Sequence, residues 1–212
     1  MLGNALSRQL RYREAIDAYT EALKCDPENL TALRLRAGRY LSTLQCGEAI
    51  RDFDRCLRLG GDRLDCLYRM GIAYYYAGDD AAAEKALESC VPLCDDEMAI
   101  AIIYWHTLSA ARAGREPELL QYYCKELVVG HHTAYEKAMR VWAGQETPEG
   151  MLKQLELEED DMEYDITLYG LLKHPECGDK EALLGKLLRR DGFWPCFAYL
   201  AAWNDKNRPV NA

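Results

Sequence analysis

Small residues recur in this chain at a spacing of 34. In the stretch Asp65 to Cys94, DCLYRMGIAYYYAGDDAAAEKALESCVPLC, Gly71 is followed by Tyr74 and, twelve positions on, by Ala83. The tetrad Ala77-Gly78-Asp79-Asp80 between them ends one helix and opens the next. Stepping back 34 residues takes Gly71 to Ala37, Tyr74 to Tyr40, Ala83 to Ala49, Leu87 to Phe53 and Cys90 to Cys56. A second step lands on Gly3, Leu6, Ala15, Tyr19 and Ala22. Two helices approach closely only where the side chains between them are small, so the columns Gly3/Ala37/Gly71 and Ala15/Ala49/Ala83 predict a series of helical hairpins.

These columns resemble the signature of the tetratricopeptide repeat (TPR) family. Repeat one supplies Gly3, Ala15, Tyr19, Ala22 and Pro27, repeat two Ala37, Tyr40, Ala49 and Phe53, and repeat three Gly71, Tyr74 and Ala83. Leu33 and Leu67 stand where the signature has Trp, and Gly61 and Asp95 where it has its closing Pro. The resemblance implies an all-α fold, a right-handed α-α superhelix or solenoid of antiparallel hairpins. Residues 1–95 are expected to hold three repeats. Residues 96–212 are expected to continue them as degenerate hairpins closed by a C-terminal capping helix.

In chain order, the register places Met1 five residues into the first helix of repeat one, which shortens that helix. The second helix is expected over Arg13 to Lys24, hairpin two over Leu30 to Leu44 and Gly47 to Leu59, and hairpin three from about Arg63 to Pro92. The turn Ala113-Gly114-Arg115-Glu116 matches the earlier tetrad at a spacing of 36, so the register slips by two. Hairpin four is expected over Met98 to Arg112 and Pro117 to Val129. Hairpin five follows over Thr133 to Ala143 and from Thr147-Pro148-Glu149 to Leu157. Hairpin six spans Tyr164 to Lys173 and Asp179 to Arg190, with Gly170 and Ala182 again twelve apart. Phe193 to Trp203 reads as the cap. The acid-rich run Glu156 to Asp165 reads as a solvated connector.

Charge narrows the choice of partner. The net charge is -9, and up to residue 94 there are 13 basic against 14 acidic residues, leaving 13 against 21 beyond it. No basic cluster is present to neutralise phosphate, which argues against nucleic acid and anionic membranes. No apolar run reaches the length of a membrane span, so no membrane insertion is expected. Nine cysteines without a CxxC pair fit a reduced compartment, and the cytoplasm is the default. Cys56 and Cys90 share the column of Ala22 and read as small packing residues.

Catalytic patterns are missing: no phosphate loop, no GxSxG elbow and no HExxH. His131-His132 near Cys124 matches no zinc spacing, Cys90 and Cys94 read as one core and one loop position, and His106 reads as a core or groove-wall residue. No cofactor, metal or enzymatic activity is therefore expected. The C-terminal half, through Gly170, Gly178 to Leu183 and Ala198 to Trp203, is similar to bacterial TPR lipoproteins that serve as adaptors, which adds the adaptor idea and an envelope alternative for location.

The resemblance implies a binding module whose first helices line a concave groove for a partner peptide or helix. The alternatives are an accessory domain of an enzyme complex and a scaffold that self-associates, for instance as a homodimer through the C-terminal helix. By the family's geometry the groove is expected to carry Asn4, Ser7 and Arg8, then Arg34, Leu35 and Leu41, then Tyr68, Arg69, Ile72 and Tyr75, and finally Tyr104, Trp105, Leu108 and Arg112. Such a face suits a protein segment with apolar anchors and at least one carboxylate. In TPR domains that grip the C-terminal carboxylate of heat-shock proteins, five Lys, Asn and Arg positions converge on the tail. Here Asn4 and Arg69 match, Leu35 and Asp65 depart, and the remaining position falls ahead of Met1.

Overall fold

Three left-handed residues set the turns of the first half. Leu10, Leu44 and Gly78 have φ of 59°, 57° and 83°, and they lie one period apart, each between the two helices of a hairpin. In the computed structural model, which describes residues 2–124 and 126–208, the chain divides into two compact units between Leu93 and Cys94. The first unit holds α1 (Leu2–Arg8), α2 (Tyr12–Cys25), α3 (Leu30–Ser42), α4 (Cys46–Arg58), α5 (Arg63–Ala77) and α6 (Asp80–Glu88). Met1, on which the reading of a shortened first helix rests, lies outside the described residues. Side-chain caps start the hairpins: Asn29 accepts from Ala32 N, Asp62 from Asp65 N and Asp79 from Ala82 N.

The small-residue columns are the helix crossings. A Cβ on Gly3 would stand 2.5 Å from the Tyr19 ring, and one on Gly71 would stand 2.7 Å from Leu87 Cγ. Ala15, Ala37, Ala49 and Ala83 are fully buried, as are Phe53 and Leu87 opposite them. Each α1/α2, α3/α4 and α5/α6 pair therefore closes around one small position and one large one.

The second unit begins with α7 (Asp96–Arg112), capped by Asp95, which accepts from Met98 N. It continues through a 3₁₀ turn over Glu118–Tyr122 to α8 (Thr133–Trp142), α9 (Pro148–Leu155), α10 (Asp161–Lys173), α11 (Lys180–Arg189) and α12 (Phe197–Asn207). All regular structure among the described residues is helical.

Four expectations are corrected here. First, the stretch Pro117 to Val129 is no second helix: after the 3₁₀ turn Tyr123 is extended, Val128 is exposed, and Gly130 turns left-handed at φ 51°. The β-branched pair Val128-Val129 disfavours helix, while buried Leu119 and a 2.7 Å hydrogen bond from the Tyr123 hydroxyl to Glu136 pin the segment down. Lys125 of that stretch lies outside the described residues.

Second, Gly170 is not spaced for Ala182, which is exposed. A Cβ on Gly170 would lie 2.6 Å from Ala138 Cβ and 2.7 Å from Tyr104 Cε2, so the close crossing is that of α10 with α8 and α7. Tyr104 donates to the Ile166 carbonyl at 2.8 Å and Trp142 to the Gly170 carbonyl at 3.0 Å, fixing that contact. Third, the cap starts at Phe197 rather than Phe193, because Pro195 biases the residue before it away from helix and Cys196 is extended as N-cap. Fourth, the acid run is built into the fold. Glu158 and Glu163 pair with Lys137 at 3.0 and 3.2 Å, Asp161 pairs with Arg190 at 2.8 Å, and Asp165 is inside.

Candidate functional site

Behind the first-helix face of unit 1 lies a rigid support. Arg36 of α3 reaches Asp52 of α4 through two parallel hydrogen bonds, Nε to Oδ2 at 2.7 Å and Nη2 to Oδ1 at 2.8 Å, and its Nη1 donates to Thr20 Oγ1 of α2 at 3.0 Å. Hydrogen bonding to Asp52 holds the Arg36 guanidinium above its ordinary pKa. Three helices are joined by one side chain. Tyr19 of α2 adds a bond from its hydroxyl to Asn4 Oδ1 at 2.7 Å.

On the face itself Asn4, Arg8 and Arg34 are exposed, and Leu35 and Arg69 are half-buried. Asp65 gathers two of these: its Oδ1 accepts from Arg69 Nε at 2.7 Å, and its Oδ2 lies 3.4 Å from Arg34 Nη1. The side chains are 42 % (Arg34), 30 % (Arg69) and 23 % (Asp65) exposed, so water screens the pairs and each contributes on the order of 0–1 kcal/mol. A competing carboxylate could therefore displace Asp65 at modest cost. The Asp65–Arg69 pair was legible as an i, i+4 spacing. The bridge to Arg34, between consecutive repeats, carried no local signal.

Other anticipated groove residues are interior. Tyr68, Ile72 and Tyr75 are buried in α5, and Leu41 in α3. Tyr104, Trp105 and Leu108 are fully buried in the second unit, where Tyr104 stacks edge-on with Trp105 and Tyr135 and Trp105 lies 6.3 Å from the Tyr169 ring. The physical reason is that α7 is buried around its whole circumference from Ile100 to Ala110, with His106, Thr107 and Ser109 its polar members there, which marks a central helix rather than one face of a groove. Arg112 points back inside that unit, with Nη1 4.0 Å from Asp205 Oδ1. The structure thus brings Arg34 and Arg69 together through Asp65 and takes the aromatic residues out of solvent's reach.

Nothing among the described residues forms a group of three or more His, Cys, Asp or Glu side chains suited to a metal ion. His131 instead donates its backbone N–H to Glu97 Oε1 at 3.0 Å, and the His132 ring meets the Glu97 carbonyl. Burial, with Cys56 alongside, pushes the Cys66 thiol up to about 12, and burial raises Cys94 and Cys177 as well. His106 is buried in α7, as anticipated for a core position. No helix among the described residues is long and apolar enough to cross a membrane.

These hairpins define a helical-repeat protein, and comparisons with known proteins give the class its name. The tetratricopeptide repeat family model matches residues 1–29. The heat shock protein sti1 homolog of Schizosaccharomyces pombe is 33% identical over 86 residues, covering 41% of this chain and 15% of that protein. Sperm-associated antigen 1 of Rattus norvegicus is 28% identical over 110 residues, covering 52% of this chain and 11% of that protein. The chain therefore spans a small fraction of either relative. Among solved structures, YrrB, described as a TPR protein with an unusual peptide-binding site, aligns at a TM-score of 0.50 and 17% identity over 96% of this chain and 88% of its own, a likeness of fold. The chain has an all-α fold of the tetratricopeptide type, and its first repeat matches the family model.

Proposed function

We propose that this chain is a non-catalytic adaptor that holds a segment of a partner protein against the first-helix face of unit 1. TPR repeats serve in general as protein-interaction modules, and the finer reading rests on one observation. In an acidic protein, Arg34 of α3 and Arg69 of α5 meet at Asp65, with Asn4 and Arg8 exposed on α1 and Leu35 half-buried next to Arg34, and Arg36 pairs with Asp52 behind them. Arginine offers forked hydrogen bonds to carboxylates at modest entropic cost, and Leu35 offers apolar area beside it. The ligand is an extended or helical protein segment with a carboxylate and an apolar anchor. Arg34→Ala and Arg69→Ala should each weaken capture of the partner by about 1–2 kcal/mol while leaving the melt nearly intact. Unchanged capture by both variants would remove the face from the reading.

Self-association through α12 is a second reading, favoured by half-exposed Trp203. Light scattering separates it: a monomer at working concentration excludes it.

A further inference from the structure

Asp165 is the most unusual side chain of the second unit. It is 0 % exposed, and neither carboxyl oxygen has a hydrogen-bond partner. A buried carboxylate in this condition is costly, so the group is held as the neutral acid.

Its place in the fold gives that proton a consequence. Asp165, Tyr169 and Lys173 follow one another at i, i+4 and i+8 on one face of α10. Along this face Tyr169 donates to Asp205 Oδ2 at 2.7 Å, and Lys173 pairs with the same carboxylate, late in α12. At the start of α12 burial pushes the Cys196 thiol up to about 12 and raises the Tyr199 hydroxyl. The helices α10 and α12 pack on each other, with Asp205 of α12 held by Tyr169 and Lys173 and the Asp165 carboxyl one turn before Tyr169 on the same face.

We propose that Asp165 makes the seating of α12 dependent on pH, the helix staying down while the carboxyl keeps its proton and lifting at its Cys196 end when the proton leaves. Lifting lets water reach the carboxylate and uncovers Ala198, Leu200 and Ala201 of α12.

The surrounding charges agree with this reading. Burial comes first, and Asp161 and Asp160 on the preceding turn add to it, in pushing Asp165 up to about 8; Arg190 opposes them but is already paired with Asp161. On α8, Lys137 is taken by Glu158 and Glu163, and Arg140 by Glu136; on α7, Arg112 faces Asp205. Tyr164, Cys196 and Tyr199 are all raised and stay neutral across the range concerned.

The sign follows from linkage. The seated form holds its proton up to about pH 8, whereas a water-exposed Asp releases its own near pH 4. Stability from the seated acid is fully present below about pH 4 and is lost progressively as pH rises towards 8, beyond which the loss is complete.

The test is amide hydrogen exchange of residues 197–202 from pH 5 to 9.5, with intrinsic exchange rates divided out, in wild type and Asp165→Asn. The wild-type opening constant should climb about tenfold per pH unit and level off near pH 8, while Asp165→Asn should be flat. Equal slopes in the two proteins would overturn the proposal. If Asp165→Asn fails to fold, the wild-type curve decides alone, since a flat wild-type profile is incompatible with the device.

Discussion

Arg36 and Asp52 face each other across the α3/α4 hairpin in a two-pronged ion pair, at 2.7 and 2.8 Å, with side chains only 15 % and 10 % exposed. Removing one partner strands the other charge in the interior. Asp52→Ala should therefore cost about 3–5 kcal/mol in urea unfolding, far more than loss of an exposed pair such as Arg51–Glu48. A joint change to Arg36→Met and Asp52→Leu should recover much of that loss, because two apolar side chains leave no charge unpaired. A cost below about 1 kcal/mol for Asp52→Ala would show that the pair is solvated in solution.

The turn residues carry a second prediction. Leu10 is half-exposed and sits at φ 59°, where an L side chain costs roughly 1–2 kcal/mol, while its counterpart two periods on, Gly78, has no such cost. Glycine gives back about 0.5–1 kcal/mol through the flexibility of the unfolded chain. Leu10→Gly should thus raise the thermal midpoint slightly, and Gly78→Leu should lower it. A clear drop on Leu10→Gly would mean that the side chain contributes packing that outweighs its backbone strain.

What was legible follows the range of the forces. The repeat columns, caps and turns are set by neighbours three to twelve residues apart, so the helices of hairpin two could be read within a residue or two of their ends, whereas hairpin three closes at Glu88 rather than Pro92. The α10/α8 crossing at Gly170 and Ala138 depends on which helix comes to lie beside α7 once Pro117 to Val129 fails to form one, and no local pattern states that. Arg8 and Arg34, assigned to the face by their offset from the crossing, are exposed. The same offset misplaced Tyr104 and Trp105, because it assumes that every hairpin keeps one face open. The mostly apolar run Ile100 to Leu108, too wide for a single stripe, was present in the letters and is the signal that corrects it.

Asp65 bears on a specific class of ligand. It lies on the same face as Leu35, and it occupies Arg69 and approaches Arg34. A tail peptide ending in a free carboxylate and further acidic residues meets that fixed negative charge, so calorimetry should show no micromolar binding. Asp65→Lys should raise the affinity for such a tail. Micromolar binding by the unaltered protein would refute this account of Asp65.

The claim that unit 1 grips its partner on the first-helix face is tested most directly by site-specific photocrosslinking in the source cell. A photoreactive residue replaces Arg34 on α3 in one protein and exposed Arg51 on α4 in another, followed by mass spectrometry of the captured chains. Crosslinks to one partner segment, carrying a carboxylate beside an apolar anchor, from position 34 and none from position 51 are the predicted result. Capture from position 51 with none from position 34 would contradict it and put the partner on the second helices.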